Sequence, residues 1–182
     1  MSTVTRLLTY EEWIDMPTVE DGIEEVVKGE LRFMPPNHAS HAFIIENLND
    51  ALKAQVDRKR VRIIGSNMGQ MISREPLTCR SPDLVVFWHE GMVIERGLLW
   101  SPADLIIEVL SPYETKRRQQ EKLDDYESIA APEVWLVDAK QRIVRVFLLT
   151  GGKLIAHEVA AGLLQPTRFP GVSLPVAEIW PE

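Results

Sequence analysis

The 182-residue sequence predicts an α/β (α+β) fold, a mixed central sheet with helices packed against it. Three observations lead there. Residues 84–88 and 105–110 are almost wholly apolar, the pattern of strands covered on both faces. Ile44, Leu48, Leu52 and Val56 recur every fourth residue, the stripe of an amphipathic helix. A polar helical stretch over 114–130 precedes a further apolar run, Val134-Trp135-Leu136-Val137. The resulting order of helix, strands, helix and strand belongs to a layered sheet-and-helix architecture.

From the N-terminus, Thr9-Tyr10-Glu11-Glu12 has the form of a capping box and predicts a short helix ending before Pro17. Residues 23–28 and 31–34 flank Gly29 and predict a hairpin. Pro35-Pro36-Asn37 breaks the pattern. The long helix is expected over 40–59, capped by Ser40, with Ile45 and Ala51 widening its stripe. Short strands are expected over 62–66 and 68–73, and 89–101 is a connection of open shape. Pro112 closes the 105–110 strand and Pro132 ends the polar helix. Antiparallel strands follow over 143–149 and 154–159, and the Pro-punctuated tail from Gly162 is expected to run over the surface.

Composition bounds the class. The length fits one domain over 1–182 with a full core. No apolar run approaches the roughly 18–20 residues of a membrane span, and the first eight residues lack the apolar segment of a signal peptide. A cytoplasmic protein with no membrane partner is the expectation. One cysteine, Cys79, excludes an internal disulfide framework and a Cys-rich zinc site. The net charge of −7 argues against indiscriminate nucleic-acid binding through bulk charge. Local basic clusters at Arg58-Lys59-Arg60-Val61-Arg62 and Lys116-Arg117-Arg118 leave room for a basic surface.

Two acids stand out. Glu108 lies inside Ile106-Ile107-Glu108-Val109-Leu110, and Asp83 opens the run 84–88. Burying an unpaired carboxylate costs several kcal/mol, so such a group is paired, protonated or metal-bound. Neighbouring strands lie about 4.8 Å apart, so carboxylates on two of them can chelate one hard cation such as Mg²⁺. The alternative is that each acid is salt-bridged to a basic side chain. Lys122 lies on the helix after Glu108, with Arg118 and Tyr126 four residues to either side. Read alone, it is a solvated helix lysine. His38, His89 and His157 have no ligand spacing and read as surface residues, and the five tryptophans read as core or interface.

Pro82-Asp83, Glu108-Val109-Leu110-Ser111-Pro112, Lys122, Tyr126 and Val134-Trp135-Leu136-Val137-Asp138 together resemble the Uma family of restriction-endonuclease-like proteins, within the PD-(D/E)XK nuclease superfamily. Glu25-Val26-Val27-Lys28-Gly29-Glu30-Leu31, Met34-Pro35-Pro36 and His41 match its N-terminal pattern, so the resemblance spans about residues 10–150. It implies a restriction-endonuclease-like core and a Mg²⁺-dependent endonuclease (Mn²⁺ as substitute) that hydrolyses DNA. A homodimer is expected, with strands 143–159 able to pair across a two-fold. By the same resemblance Asp83 and Glu108 are metal ligands and the Val109 carbonyl a third. Lys122 replaces the superfamily lysine, whose usual place is Leu110, and orients the attacking water. Glu25 completes the site from the hairpin, His41 and Arg80 occupy recurrent family positions, and Arg80 is a candidate phosphate contact. Arg118 stands where the family commonly has Asp. That departure admits a second expectation, a nuclease-fold module that binds nucleic acid or a protein without turnover.

Overall fold

Hydrophobic periodicity becomes two six-stranded sheets in the computed structural model, which describes residues 6–17, 23–34, 38–65, 68–112 and 114–181. The break at Pro35-Pro36-Asn37 lies outside the described residues. In chain order the elements are α1 (Tyr10–Ile14), β1 (Ile23–Val27), β2 (Glu30–Met34), α2 (Ala39–Lys53), β3 (Val61–Gly65), β4 (Gln70–Arg74), β5 (Leu77–Arg80) and β6 (Leu84–Trp88). There follow β7 (Ile94–Glu95), β8 (Leu98–Leu99), β9 (Leu105–Val109), α3 (Lys116–Ser128), β10 (Glu133–Asp138), β11 (Ile143–Thr150), β12 (Lys153–Val159), β13 (Leu163–Leu164) and β14 (Leu174–Pro175).

The first sheet has the order β12-β11-β10-β9-β6-β3. β9 and β10 are parallel, joined through α3, and the other neighbours are antiparallel. Alternation along the central strands sends Leu84, Val86, Leu105, Ile107 and Val109 into one core with Ile44, Leu48 and Leu52 of α2. Val85, Ile106 and Leu136 enter the opposite core with Leu123 and Tyr126 of α3. Both faces are therefore apolar, which is why 84–88 and 105–110 lack polar alternation. The second sheet, β2-β1-β5-β4-β8-β7, has its own core of Tyr10, Val26, Met71, Leu77 and Cys79.

The predicted capping box is present: Thr9 accepts from the Glu12 amide and the Glu12 side chain accepts from the Thr9 amide. The β1–β2 hairpin turns at Lys28 (φ 53) and Gly29 (φ 79), the left-handed pair that a tight hairpin requires.

Four expectations need correction. α2 is capped by His38, without a side-chain bond, rather than by Ser40. It ends at Lys53 and not near residue 59, because Asp57 organises a turn: its carbonyl accepts from the Arg60 and Val61 amides and its side chain from the Lys59 amide. β5 and the small β7–β8 hairpin were not anticipated. β5 has only four residues, one of them an arginine, and buries all of them, so no alternation marks it. The tail does not run over the surface. Leu164, Phe169, Val172, Leu174, Val176, Ile179 and Trp180 close the α2-side core. Buried Glu133 holds the tail there, accepting from the Thr167 amide and hydroxyl at 2.7 Å each.

Candidate active site

The antiparallel register pairs Leu84 of β6 with Ile107 of β9, which sets Asp83 beside the end of β9. Asp83 Oδ2 accepts the Val109 amide at 2.8 Å, and its Oδ1 lies 3.0 Å from His41 Nε2 on α2. One strand end and one helix thus fix the Asp83 rotamer.

Glu108 faces α3, which crosses from β9 to β10. Lys122 Nζ donates to its Oε2 at 2.7 Å and the Tyr126 hydroxyl donates to its Oε1. Lys122 and Tyr126 are one helical turn apart and share the buried face of α3, whereas Arg118, a turn earlier, is exposed. A second carboxylate stands near the ammonium: Glu114 Oε1 is 3.6 Å from Lys122 Nζ.

Glu25 and Arg80 form an adjoining layer. Arg80 donates to Glu25 at 3.0 Å and twice to Asp125, at 2.6 and 2.7 Å. Glu25 also accepts the Ser81 amide at 3.1 Å. The network continues through Glu121, 3.5 Å from Arg80 and paired with Arg32 at 2.7 Å. Arg80 is 2% exposed and its guanidinium faces carboxylates of the protein itself. Through these partners the residue ties β1 and β5 to α3. Cys79, beside it, is buried, and burial pushes its thiol up to about 12, consistent with an inert residue.

The charge balance explains how these groups ionise. Burial pushes Glu108 up to about 7; Lys122 opposes this, and Asp83 and Glu25 add to it. Burial acts to lower the Lys122 ammonium, but Glu108, Glu114 and Glu25 outweigh it and hold it above the ordinary range. Burial lifts Glu108, and the several buried carboxylates around one ammonium lift Lys122. Such a locale gains from further positive charge, and oxygen donors on facing strands suit a hard divalent cation. Among the described residues no set of three or more His, Cys, Asp or Glu side chains is placed to hold an ion. An ion on Asp83 and Glu108 would therefore draw its other ligands from water and backbone oxygen, as Mg²⁺ commonly does.

All the residues singled out in the sequence except Arg118 are buried in this region. Glu114, Glu121 and Asp125 were missed as members. The local signals were present, Glu121 and Asp125 being one turn apart on α3, but acids on a charged helix look the same whether they face solvent or a buried arginine.

Two antiparallel strands, one with an acid at its start and one with an acid inside it, followed by a helix carrying a lysine and a parallel strand, define a restriction-endonuclease-like core. The chain belongs to the Uma2 family, whose model, described as "Putative restriction endonuclease", matches residues 9–177. It is similar in structure to a crystal structure described as "a putative nuclease belonging to DUF820 from Anabaena variabilis ATCC 29413", with a TM-score of 0.77 and 18% identity, over 94% of this chain and 97% of that one. At that identity the likeness carries the fold. No curated protein matches the chain. Membership of the family supports a nuclease, and with it nucleic acid as the class of substrate. No helix among the described residues is long and apolar enough to cross a membrane.

Proposed function

We propose that the protein is a Mg²⁺-dependent endonuclease, with Mn²⁺ as substitute, that hydrolyses phosphodiester bonds in DNA. The observation that carries this reading is that Asp83, just before β6, accepts the Val109 amide of β9, next to Glu108, to which α3 delivers Lys122. Asp83, Glu108 and the Val109 carbonyl are the proposed ligands. A divalent ion there supplies Lewis acidity toward a phosphate oxygen and a nucleophilic water.

The protein's own groups do the remaining work. The Val109 amide and His41 hold Asp83 in one orientation. Tyr126 does the same for Glu108, and its hydroxyl stays protonated because burial and the nearby Glu108 push it well above its ordinary value. Lys122 brings a positive charge that orients water and offsets charge developing on phosphate. Glu25 adds negative field from β1 while Arg80 keeps it oriented. A cytoplasmic homodimer is part of the same reading. β12 is the edge strand of its sheet and is largely exposed, the kind of edge a second copy can pair with.

A plasmid-nicking assay with Mg²⁺ or Mn²⁺ tests the activity. Wild type should convert supercoiled plasmid, and Asp83→Ala and Glu108→Ala should not; cleavage retained in both variants sinks the assignment.

One observation favours a second reading, a nuclease-fold module without turnover: Lys122 and Tyr126 already occupy both oxygens of Glu108. Melting curves separate the two. A rise in melting temperature with millimolar Mg²⁺ or Mn²⁺ supports the enzyme, and no rise supports the module.

A further inference from the structure

Lys122 touches two carboxylates from different parts of the chain. It donates to Glu108 Oε2 at 2.7 Å and stands 3.6 Å from Glu114 Oε1. Glu108 belongs to β9, whereas Glu114 belongs to the turn that leads into α3, where its amide donates to the Ser111 carbonyl. Glu108 accepts from Lys122 on one oxygen and from Tyr126 on the other, so a cation that binds it must displace or share with one of these donors.

Tyr126 is fully buried, a short aromatic side chain on α3. Lys122 is the more movable donor, a point charge on a flexible four-carbon stem. A buried ammonium displaced from its partner needs another, because an uncompensated buried charge costs several kcal/mol. Among the described residues, Glu114 is the one other carboxylate within 4.0 Å of Nζ. It too is mostly buried, with a side-chain exposure of 11%.

We propose that Lys122 is a two-position residue: it neutralises Glu108 until a divalent cation takes that carboxylate, and then transfers to Glu114. Glu114 is thus a positioning residue for the lysine, and Lys122 is a built-in competitor for the metal site. This rests on the metal-dependent reading above and deepens it.

Isothermal titration with Mn²⁺ alone tests the exchange, using wild type, Glu114→Gln, Lys122→Met and the double variant, each first shown to fold by its melting curve. Glu114→Gln should weaken Mn²⁺ binding about five-fold or more, the size of a coupled charge pair. Lys122→Met should bind more tightly than wild type, its competitor being gone. In the Lys122→Met background the effect of Glu114→Gln should shrink below about two-fold. Equal weakening in both backgrounds overturns the proposal, because Glu114 then acts on the metal by its charge alone. No tightening in Lys122→Met overturns the competition. Absence of Mn²⁺ binding by folded wild type overturns the metal reading itself, and this inference with it. Should Lys122→Met not fold, Lys122→Gln provides the same comparison while keeping a hydrogen-bond donor for Glu108.

Discussion

Glu108 is 2% exposed and has a hydrogen-bond donor on each oxygen. Tyr126→Phe removes one donor and leaves a buried acceptor unsatisfied, so it should cost about 1–3 kcal/mol in urea unfolding. Glu121 shows the opposite electrostatics. Hydrogen bonding to Arg32 holds its carboxyl at about 2, below the ordinary 4.5. A depressed carboxylate contributes stability above its unfolded value and loses it as pH falls through its folded value. Glu121→Gln should therefore be less stable than wild type at pH 6, with the gap closing between about pH 4.5 and pH 2. A gap that stays constant across that range in pH-dependent urea melts contradicts the assignment. At this scale the sequence displayed anomalies without their solutions. Asp83 and Glu108 were conspicuous because aliphatic neighbours made their charge costly. Glu114 was silent because nothing in its own surroundings marks it.

Among the elements, the β1–β2 hairpin and α2 offer the clearest tests. Gly29 has φ 79, and a Cβ there would stand 2.8 Å from the Leu7 Cβ. Gly29→Ala should destabilise by about 1–3 kcal/mol, the cost of a non-glycine residue in a strained backbone region, measured by thermal or urea unfolding. Leu48 is fully buried at the centre of the α2 stripe, and Leu48→Ala should cost about 2–5 kcal/mol. The helix was legible because its period is local and repeated. Its end was not: α2 stops at Lys53 through a turn built on Asp57, with neither glycine nor proline to announce it. β5 escaped for a related reason. Its four residues are all buried, and the polar ones are satisfied by distant partners rather than by water.

For the molecule as a whole, Arg80 joins the two sheets. β5 carries it, β1 supplies Glu25, and α3, packed on the other sheet, supplies Asp125 and Glu121. Arg80→Met removes the cation and leaves Glu25 and Asp125 facing each other, so a loss of about 3–5 kcal/mol is expected, as when one partner of a buried ion pair is deleted. If the network also positions α3, the Mn²⁺ affinity of folded Arg80→Met should fall together with its stability, and an unchanged affinity would confine Arg80 to a structural role. The order of the longer strands and helices, the two-sided burial of β6 and β9, and the presence of charged groups needing partners were written in local pattern, because apolar periodicity and the cost of burying charge act residue by residue. The tertiary structure alone decided that the tail enters the core, that Arg80 faces inward, and that Lys122 lies between Glu108 and Glu114. Those outcomes depend on strand register and on where α3 crosses the sheet, and such contacts between distant residues leave no period in the chain.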